Sequence, residues 1–523
     1  MKSKKWISTI AILLAALLLA ACTTANETAE SEQTAVSETT DTPELTTGTP
    51  SEEMPGEPPS GMPGEPPSGM PGEPPSGMPG EPPSGMPGEP PSGMPGQPPS
   101  GMPGEPPSGM PGGPGGSAAD VSYSGATEIT AADVQEDRTY TSTTANESAL
   151  LISTGETVTV TNPTVTKSGD GDGGDSSNFY GLNAAVLCKD GANVTITGGT
   201  VTSSASGANG IFCYGGNGGR NGAAGDGTTV TVRDTVITTT GAGSGGIMTT
   251  GGGVTYAYDL TVTTSGQSSA PIRTDRGGGT VTVDGGTYTS NGLGSPAIYS
   301  TAEIHVSNAT LVSNLSEGVC IEGKNSIELV DCDLTANNTR RNSNAQFLDT
   351  IMIYQSMSGD ADSGTSAFTM TRGTLTSKSG HVFHVTNTNT VITLSEVTIV
   401  NEDGSDILLS VCADGWSGAG NVATLHASKQ ALSGTILVGS DSTLTLNLTE
   451  GSTFTGAISG EITNAAGTVV STSVGTVHVT LDGTSSWTLT ADTHITSFIG
   501  DASRVITNGY TLYVNGAPLA GTN

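Results

Sequence analysis

The chain repeats itself every 23 residues in three consecutive blocks: TVTVDGGTYTSN at Thr280–Asn291, EIHVSNATLVSN at Glu303–Asn314 and SIELVDCDLTAN at Ser326–Asn337. Each block opens with a short run in which apolar and polar residues alternate, such as Val281 and Val283 in the first block. A corner of Asp, Gly or Asn follows, and a second alternating run then ends in Asn. Alternation with a period of two predicts strands with one buried face. A repeat of this length predicts a unit that buries its inner face by stacking on its neighbours, which is one coil of a parallel β-solenoid.

The same pattern continues on both sides of the three blocks. Further coils are predicted to begin at Thr157, Asn193, Thr229, Val254, Ala367 and Thr390. Longer stretches interrupt the repeat and are expected to be loops at coil corners; they lie at 169–178, 215–227, 338–348 and 356–365. A leucine-rich repeat is excluded, because the Thr-Val strands do not supply its leucine and asparagine spacing.

Coils of this kind resemble the right-handed parallel β-helix proteins of the pectin-lyase-like superfamily. They are also similar to β-helix surface lipoproteins of Gram-positive bacteria. The resemblance implies an all-β fold, a right-handed parallel β-helix (solenoid), which we place at residues 118–523. It implies either attachment to cell-wall polysaccharide, as in some of the lipoproteins, or polysaccharide cleavage, as in the lyases and hydrolases of the superfamily. A fold alone does not select between these functions.

Composition narrows the class of partner. The chain carries 50 acidic and 17 basic residues, for a formal net charge of −33. Nucleic acids and anionic membrane surfaces both need basic patches, so neither is expected as a partner. The 75 glycines and the low aromatic content favour short strands with many tight corners. Cys188 and Cys213 lie about one coil apart and are expected to be stacked buried thiols, with a disulfide as the alternative.

The N-terminal part is not expected to belong to the solenoid. Residues 1–22 have a basic start, an apolar stretch and a Leu-Ala-Ala-Cys ending, which resembles a bacterial lipoprotein signal peptide. The resemblance implies that Cys22 is lipidated and becomes the new N-terminus. Residues 23–53 are rich in Thr, Ser and Glu and are predicted to be a disordered tether. Residues 54–117 are MPGEPPSG octapeptides, which predict an extended Pro/Gly-rich stalk.

One strand of each coil carries unusually large outward side chains. Aligned by eye, these strands give one outward row of Leu187, Phe212, Met248, Arg273, Tyr299 and Glu322, with Tyr214 and Asp275 in the row alongside. Tyr354 in IMIYQS is a further candidate for this face. Large side chains in a contiguous row are more typical of an interaction surface than of a solvated sheet. The predicted ligand-binding residues are Phe212, Tyr214, Met248, Arg273, Asp275, Tyr299 and Glu322.

Three interpretations of this row stay open. In a binding site, the aromatic faces would stack on sugar rings while charged groups fix hydroxyl or acidic groups. In an enzyme, carboxylates would converge to do acid–base chemistry. Asp275 stands almost alone in the sequence pattern, so no catalytic residue is predicted. In the third interpretation, the row only packs beneath a loop of an inserted coil.

Other polar patterns are more easily explained by structure. Asp170, Asp172 and Asp175 lie in a glycine-rich loop and are a candidate Ca²⁺ site, although a solvated acidic corner is the favoured interpretation. His381 and His384 are three residues apart on a strand and are expected to face opposite ways, which argues against metal ligation. Asn291, Asn314 and Asn337 recur every 23 residues and predict a ladder of hydrogen-bonded amides.

Together these observations predict a monomeric lipoprotein on the extracellular face of the bacterial cell membrane, attached to the membrane only through its lipid. We expect an adhesin or polysaccharide-binding protein whose partner is a host or cell-wall glycan, without catalysis and with no required cofactor. A polysaccharide lyase or glycoside hydrolase is the first alternative. A purely structural surface spacer is the second.

Overall fold

The computed structural model describes residues 121–172, 174–218, 224–416 and 421–519. The signal segment with Cys22, the tether 23–53 and the stalk 54–117 lie outside the described residues. The chain divides into two units, Met1–Pro103 and Gly104–Asn523, and all the described residues belong to the second. Within the described part of the chain, no helix has the length and apolar character needed to cross a membrane.

Short parallel strands form three faces, here called A, B and C. Face A is a 13-stranded sheet: Gly125–Ile129, Ser148–Ser153, Val186–Lys189, Ile211–Tyr214, Ile247–Thr250, Ile272–Thr274, Ile298–Ser300, Val319–Glu322, Asp349–Tyr354, His381–Thr386, Ile407–Val411, Thr435–Val438 and Ile458–Ser459. Faces B and C belong to one 22-stranded sheet, because Ser326–Ala336 and Thr365–Ser377 run through both.

The other strands of face B are Asp133–Glu136, Thr157–Thr161, Asn193–Thr197, Thr229–Arg233, Gly253–Tyr258, Gly279–Asp284, Glu303–Ser307, Asn389–Ser395, Asn421–Ser428, Ser442–Thr449, Thr476–Leu481 and Ser497–Ile499. The other strands of face C are Thr139–Ser142, Thr164–Lys167, Thr200–Ser203, Val236–Thr239, Thr261–Thr264, Thr287–Ser290, Thr310–Ser313 and Thr398–Asn401. Each strand pairs in parallel with its counterpart in the next coil.

A few elements lie outside the three faces. A four-stranded parallel sheet comprises Ala431–Ser433, Thr453–Gly456, Ser486–Leu489 and Val505–Ile506. Glu461–Thr463 and Val469–Thr472 form an antiparallel pair. A three-stranded sheet comprises Thr493–Ile495, Leu512–Val514 and Ala517–Leu519. The described helices are the α-helix Asp175–Tyr180 and the 3₁₀ turn Ala502–Arg504.

The three 23-residue blocks stack in the predicted register. Val281 pairs with Ile304, and Ile304 pairs with Ile327, each one coil further along the chain. All three side chains are buried, as the alternation requires. The interior is a continuous core of such residues, since each coil leaves its inner side chains against those of the next. The prediction of an all-β parallel β-helix is therefore confirmed.

The corner between faces B and C explains why Asp, Gly or Asn recurs there. At least one residue per coil adopts the left-handed backbone conformation there, as at Asp259 (φ 52°), Gly285 (φ 77°) and Asn308 (φ 55°). Glycine has no steric penalty in this region, and Asn and Asp tolerate it better than other residues. A Cβ atom at Gly285 would also lie 2.1 Å from the Asp259 carboxylate oxygen Oδ1, so this coil admits only glycine without local movement.

The asparagine ladder exists as a single rung. Asn314 Nδ2 donates to Asn291 Oδ1 at 2.8 Å, whereas Asn337 Oδ1 accepts from Ser379 Oγ at 3.2 Å. Asn291 and Asn314 are both exposed. The expectation of a continuous ladder is therefore confirmed for one step and not for the next.

A buried serine ladder connects the coils instead. The backbone N–H of Ser244 donates to Ser269 Oγ at 2.9 Å, and that of Ser269 donates to Ser295 Oγ at 2.9 Å. The N–H of Ser295 donates in turn to Ser316 Oγ at 3.1 Å. Ser269 Oγ and Ser295 Oγ also donate to backbone carbonyls of the preceding coil. All four side chains are buried, so the ladder satisfies polar backbone at a corner that water does not reach.

The cysteines behave as predicted. Cys188 and Cys213 pair directly on neighbouring strands of face A, and both are fully buried. The five cysteines after Cys22 are free thiols. Burial raises the pKa of the Cys213 thiol to about 12, so it is a packing group rather than a reactive one.

Candidate functional site

The predicted row of large side chains exists on face A, with one error. Phe212 pairs with Met248, Met248 with Arg273, and Arg273 with Tyr299. The next neighbour of Tyr299 is Cys320, not Glu322 as predicted. Glu322 lies two residues further on and pairs with Tyr354. Val319 and Ile321 are both inward and apolar, so a slip of two residues keeps every side chain on its face and cannot be detected from alternation.

One half of this row does not face solvent. Phe212, Tyr214 and Met248 are buried with Leu187 in a separate apolar cluster. The cover is the α-helix Asp175–Tyr180, whose Phe179 and Tyr180 belong to the same cluster. The rings of Tyr180 and Tyr214 meet edge to face, with centroids 5.8 Å apart. The prediction that Phe212, Tyr214 and Met248 contact a ligand is therefore wrong, and the packing interpretation holds for them.

The other half of the row opens into a cleft of about 600 Å³. We call this the face-A cleft; its principal walls are Arg273, Tyr299, Glu317, Cys320, Tyr354 and Trp416. The loop after Asn337, one of the predicted insertions, contributes Asn342, Ser343 and Ala345 to the rim. The ring centroids of Tyr354 and Trp416 are 4.9 Å apart. Side chains from four consecutive coils, from the loop after Asn337 and from the segment after Val411 thus meet in a single concave site.

A buried carboxyl group lies behind two of these aromatic rings. Glu322 Oε2 accepts from Tyr299 Oη at 2.5 Å and from Tyr354 Oη at 3.2 Å. Its other oxygen accepts from the hydroxyls of Ser356 and Ser358, in the loop that follows Tyr354. Burial raises the pKa of Glu322, and the donated hydrogen bonds counteract that rise only in part. The two serines hold the Glu322 carboxyl group in place, and that group in turn holds both phenol hydroxyls. Glu322 therefore acts as a positioning residue for the cleft wall.

Arg273 at the other end of the cleft is already paired. Its Nη2 donates to Asp275 Oδ2 at 2.7 Å, and its Nη1 donates to the Ser268 carbonyl at 3.1 Å. Complete burial raises the pKa of Asp275 to about 6 despite this partner. The neighbouring Arg276 pairs with Asp360 at 2.6 Å and with Asp175 at 3.4 Å. The prediction that Arg273 and Asp275 lie side by side holds, but they neutralise each other.

Glu317 on the cleft wall has a second buried carboxyl group, that of Asp349, on the neighbouring coil. Val319 pairs with Ile351, which places Glu317 and Asp349 at equivalent positions two residues earlier on neighbouring coils. Burial raises the pKa of both groups, and the nearby Glu317 charge raises that of Asp349 further. Glu317 accepts from Ser316 Oγ, the last member of the serine ladder. Asp349 Oδ1 has no hydrogen-bond partner among the described residues.

On the next strand of face A, two histidines contact the hydroxyl group of the same serine. His381 Nδ1 and His384 Nδ1 each lie 2.7 Å from Ser410 Oγ, so the expectation that they face opposite ways is wrong. His384 Nε2 lies 3.1 Å from Asp414 Oδ2. Ser410 and His384 are fully buried, and Phe347 lies against both imidazole rings. Because the Gln346 N–H donates to Asp414 at 2.6 Å, this network fastens the loop that forms the cleft rim.

The acidic loop does not assemble the candidate Ca²⁺ site. Asp170 accepts from the Ser206 N–H, Asp172 accepts from Gly174 N–H and Ser177 Oγ, and Asp175 pairs with Arg276. In the part of the chain that the structure describes, no three His, Cys, Asp or Glu side chains are placed to hold a metal ion. The solvated-corner interpretation of Asp170, Asp172 and Asp175 fits these contacts.

The sequence pattern missed Glu317, Cys320 and Trp416. Cys320 is the true neighbour of Tyr299 on face A, and Glu317 lies three residues before it. The two-residue slip in the predicted alignment left both residues out of the predicted site. Trp416 follows a face-A strand in the segment ADGWSG, where a tryptophan in a glycine-containing corner was the available signal. Comparison of the chain with family models, curated proteins and solved structures found no match.

Proposed function

We propose that this protein is a lipid-anchored surface protein that binds a polysaccharide in the face-A cleft. Adhesion to a host or cell-wall glycan is the corresponding biological role. In this proposal the lipid on Cys22 holds the chain at the extracellular face of the membrane, and the solenoid carries the binding site. No step of the proposed function requires a cofactor.

The observation that carries the proposal is the grouping of Tyr299, Tyr354 and Trp416 around one cleft. Aromatic faces held at fixed angles suit pyranose rings, which present an apolar face of C–H groups. The hydrogen bonds from both tyrosines to Glu322 hold those rings in place before a ligand arrives. The polar rim residues Asn342 and Ser343 are positioned to bond sugar hydroxyls. A concave, mostly apolar site with a few polar groups is the usual form of a ligand pocket.

A glycan array with the purified chain tests the proposal. We expect Trp416→Ala to reduce binding to the recognised glycan by about tenfold or more, because a stacking ring contributes on the order of 1–2 kcal/mol. Tyr256→Ala is the matched control, since Tyr256 is an exposed aromatic residue on face B. Equal losses for the two variants would contradict the cleft as the binding site. A chain that binds no glycan would leave the surface-spacer role.

A second candidate function is cleavage of the bound polysaccharide. The observation that favours it is the pair Glu317 and Asp349, two buried carboxyl groups at equivalent positions on neighbouring coils with raised pKa values. Burial that raises the pKa of a carboxyl group makes it better suited to protonate a leaving group. Release of reducing ends from the recognised glycan would support cleavage. Glu317→Gln should then abolish that release while binding persists.

A further inference from the structure

The face-A cleft has an imbalance of charge that bears on its ligand. Glu317 is buried on its wall and Glu322 is buried behind that wall, and among the described residues neither makes a salt bridge with a cation. Their partners are neutral donors: Ser316 for Glu317, and Tyr299, Tyr354, Ser356 and Ser358 for Glu322. Arg273, the cation on the cleft wall, is already neutralised by Asp275. The uncompensated groups of the site are therefore acidic.

The aromatic rings of the cleft add to this preference. Tyr and Trp rings carry negative charge on their faces and attract a cation within about 6 Å of the ring centre. Arg273 already illustrates this at the wall, with its guanidinium carbon 6.0 Å from the Tyr299 ring centroid. Glu322 lies behind the rings of Tyr299 and Tyr354 and accepts a hydrogen bond from each. Glu317 lines the same cleft as Tyr354 and Trp416, so a polycationic ligand in the cleft meets ring faces and a carboxyl group along its length.

We propose that the ligand of the face-A cleft is a polysaccharide that carries free amino groups, such as a polymer of de-N-acetylated hexosamine. The inference rests on the proposed polysaccharide binding and names the class of sugar. In the complex, the protonated amine of one sugar lies against Glu317, and another sugar of the same polymer stacks on the Trp416 ring. The sugar rings on either side stack on Tyr299 and Tyr354.

The net charge of the whole chain also favours a cationic ligand. The chain carries a formal net charge of −33, which attracts a polycation over long range and repels a polyanion. A uronic acid polymer would need an unpaired cation in the cleft, whereas Arg273 is committed to Asp275 and to the Ser268 carbonyl. A neutral polymer would leave the Glu317 carboxyl without a charged partner. An amino sugar satisfies both the aromatic walls and the carboxyl group.

The experiment compares two ligands that differ only in their amines. Glucosamine hexamer and N-acetylglucosamine hexamer are titrated into the purified chain at neutral pH, with calorimetry and tryptophan fluorescence as readouts. We expect the free-amine hexamer to bind about tenfold tighter or more, since a charge-assisted hydrogen bond to a carboxylate is lost on acetylation. Glu317→Gln should reduce that preference severalfold. Glu156→Gln, which removes an exposed charge far along the chain from the cleft residues, should leave it unchanged.

The outcomes separate this inference from the proposed function. If the acetylated hexamer, cellohexaose or an oligogalacturonate binds as well as the free amine, and Trp416→Ala abolishes that binding, polysaccharide binding stands and the amine preference is overturned. If tetralysine competes as strongly as the hexamer, charge alone is recognised and the inference also fails. If none of these sugars binds, the proposed function itself is contradicted. The ligand pair decides the question even should Glu317→Gln fail to fold.

Discussion

At the scale of single residues, hydrogen bonds that alternation cannot reveal hold the coils together. Asn291 and Asn314 stand out in the sequence because they recur every 23 residues, yet their bond is exposed. Ser244, Ser269 and Ser295 recur at intervals of 25 and 26 residues, among many other serines, and form the buried ladder. Spacing predicted where side chains repeat. It did not predict which repeats are buried, because burial at a corner depends on the loop that covers it.

The serine ladder gives a stability prediction. Ser269→Ala leaves the buried N–H of Ser244 without its acceptor, so we expect the free energy of unfolding to fall by about 1–3 kcal/mol. Ser265→Ala, at an exposed position four residues earlier, should change it by less than about 0.5 kcal/mol. Urea unfolding followed by circular dichroism measures both variants. The ladder has no energetic role if the two losses are equal.

The buried carboxyl groups predict an unusual dependence of stability on pH. Burial raises the native pKa of Asp275 to about 6, above the ordinary value of 3.8, and it raises those of Glu317, Glu322 and Asp349. The folded chain then holds these protons to a higher pH than the unfolded chain does. The resulting stabilisation is complete below the unfolded pKa and is lost as the pH rises through the native pKa.

We therefore expect the melting temperature of the chain to fall between roughly pH 4 and pH 7. Exposed Asp482 has the opposite sign: hydrogen bonds from backbone N–H groups lower its pKa, so its contribution is lost only in stronger acid. Asp275→Asn should flatten the profile near pH 6, because it removes a titrating group. Calorimetry across this pH range is the measurement. A melting temperature that rises steadily towards neutral pH contradicts the assignment of these carboxyl groups.

At the scale of elements, the two halves of face A differ in the segment that lies over them. The short helix Asp175–Tyr180 covers the half that contains Phe212 and Met248, while the loop after Asn337 rims the other half and leaves a cleft. The sequence placed both insertions correctly as interruptions of the repeat. It did not tell which strands each insertion would lie on, since that depends on the direction in which a loop folds back.

The covering helix is testable through Phe179, one of its two aromatic residues in the buried cluster. Phe179→Ala removes a ring that packs with Tyr180 and lies 4.1 Å from the Arg276 guanidinium carbon. We expect a loss of about 2–4 kcal/mol in unfolding free energy, in line with other truncations of buried phenylalanine. Tyr256→Ala on face B is again the exposed control, and chemical denaturation is the readout. A negligible loss would mean that the helix does not seal Phe212 and Met248.

At the scale of the whole molecule, the repeat predicts the architecture far better than the site. The alternation within each coil distinguishes its inner from its outer residues, so periodicity alone predicts the strands, the corners and the stacking order. The face-A cleft instead combines Arg273 with Trp416, which are many coils apart in sequence, and no local pattern joins them. Function in a solenoid therefore lies in the irregular segments, and those are the parts that periodicity cannot place.

The last prediction follows from the proposed lipid anchor. The residue concerned, Cys22, lies outside the described part of the structure. If Cys22 carries the lipid, that lipid holds the protein at the membrane, because stable binding then depends on buried acyl chains. Cys22→Ala, expressed in a Gram-positive host, should move the protein from the detergent-soluble membrane fraction to the medium. Thr24→Ala is the control, since it changes a neighbouring residue and keeps the thiol. A Cys22→Ala chain that stays membrane-bound and takes up labelled fatty acid would show that another residue or segment provides the anchor.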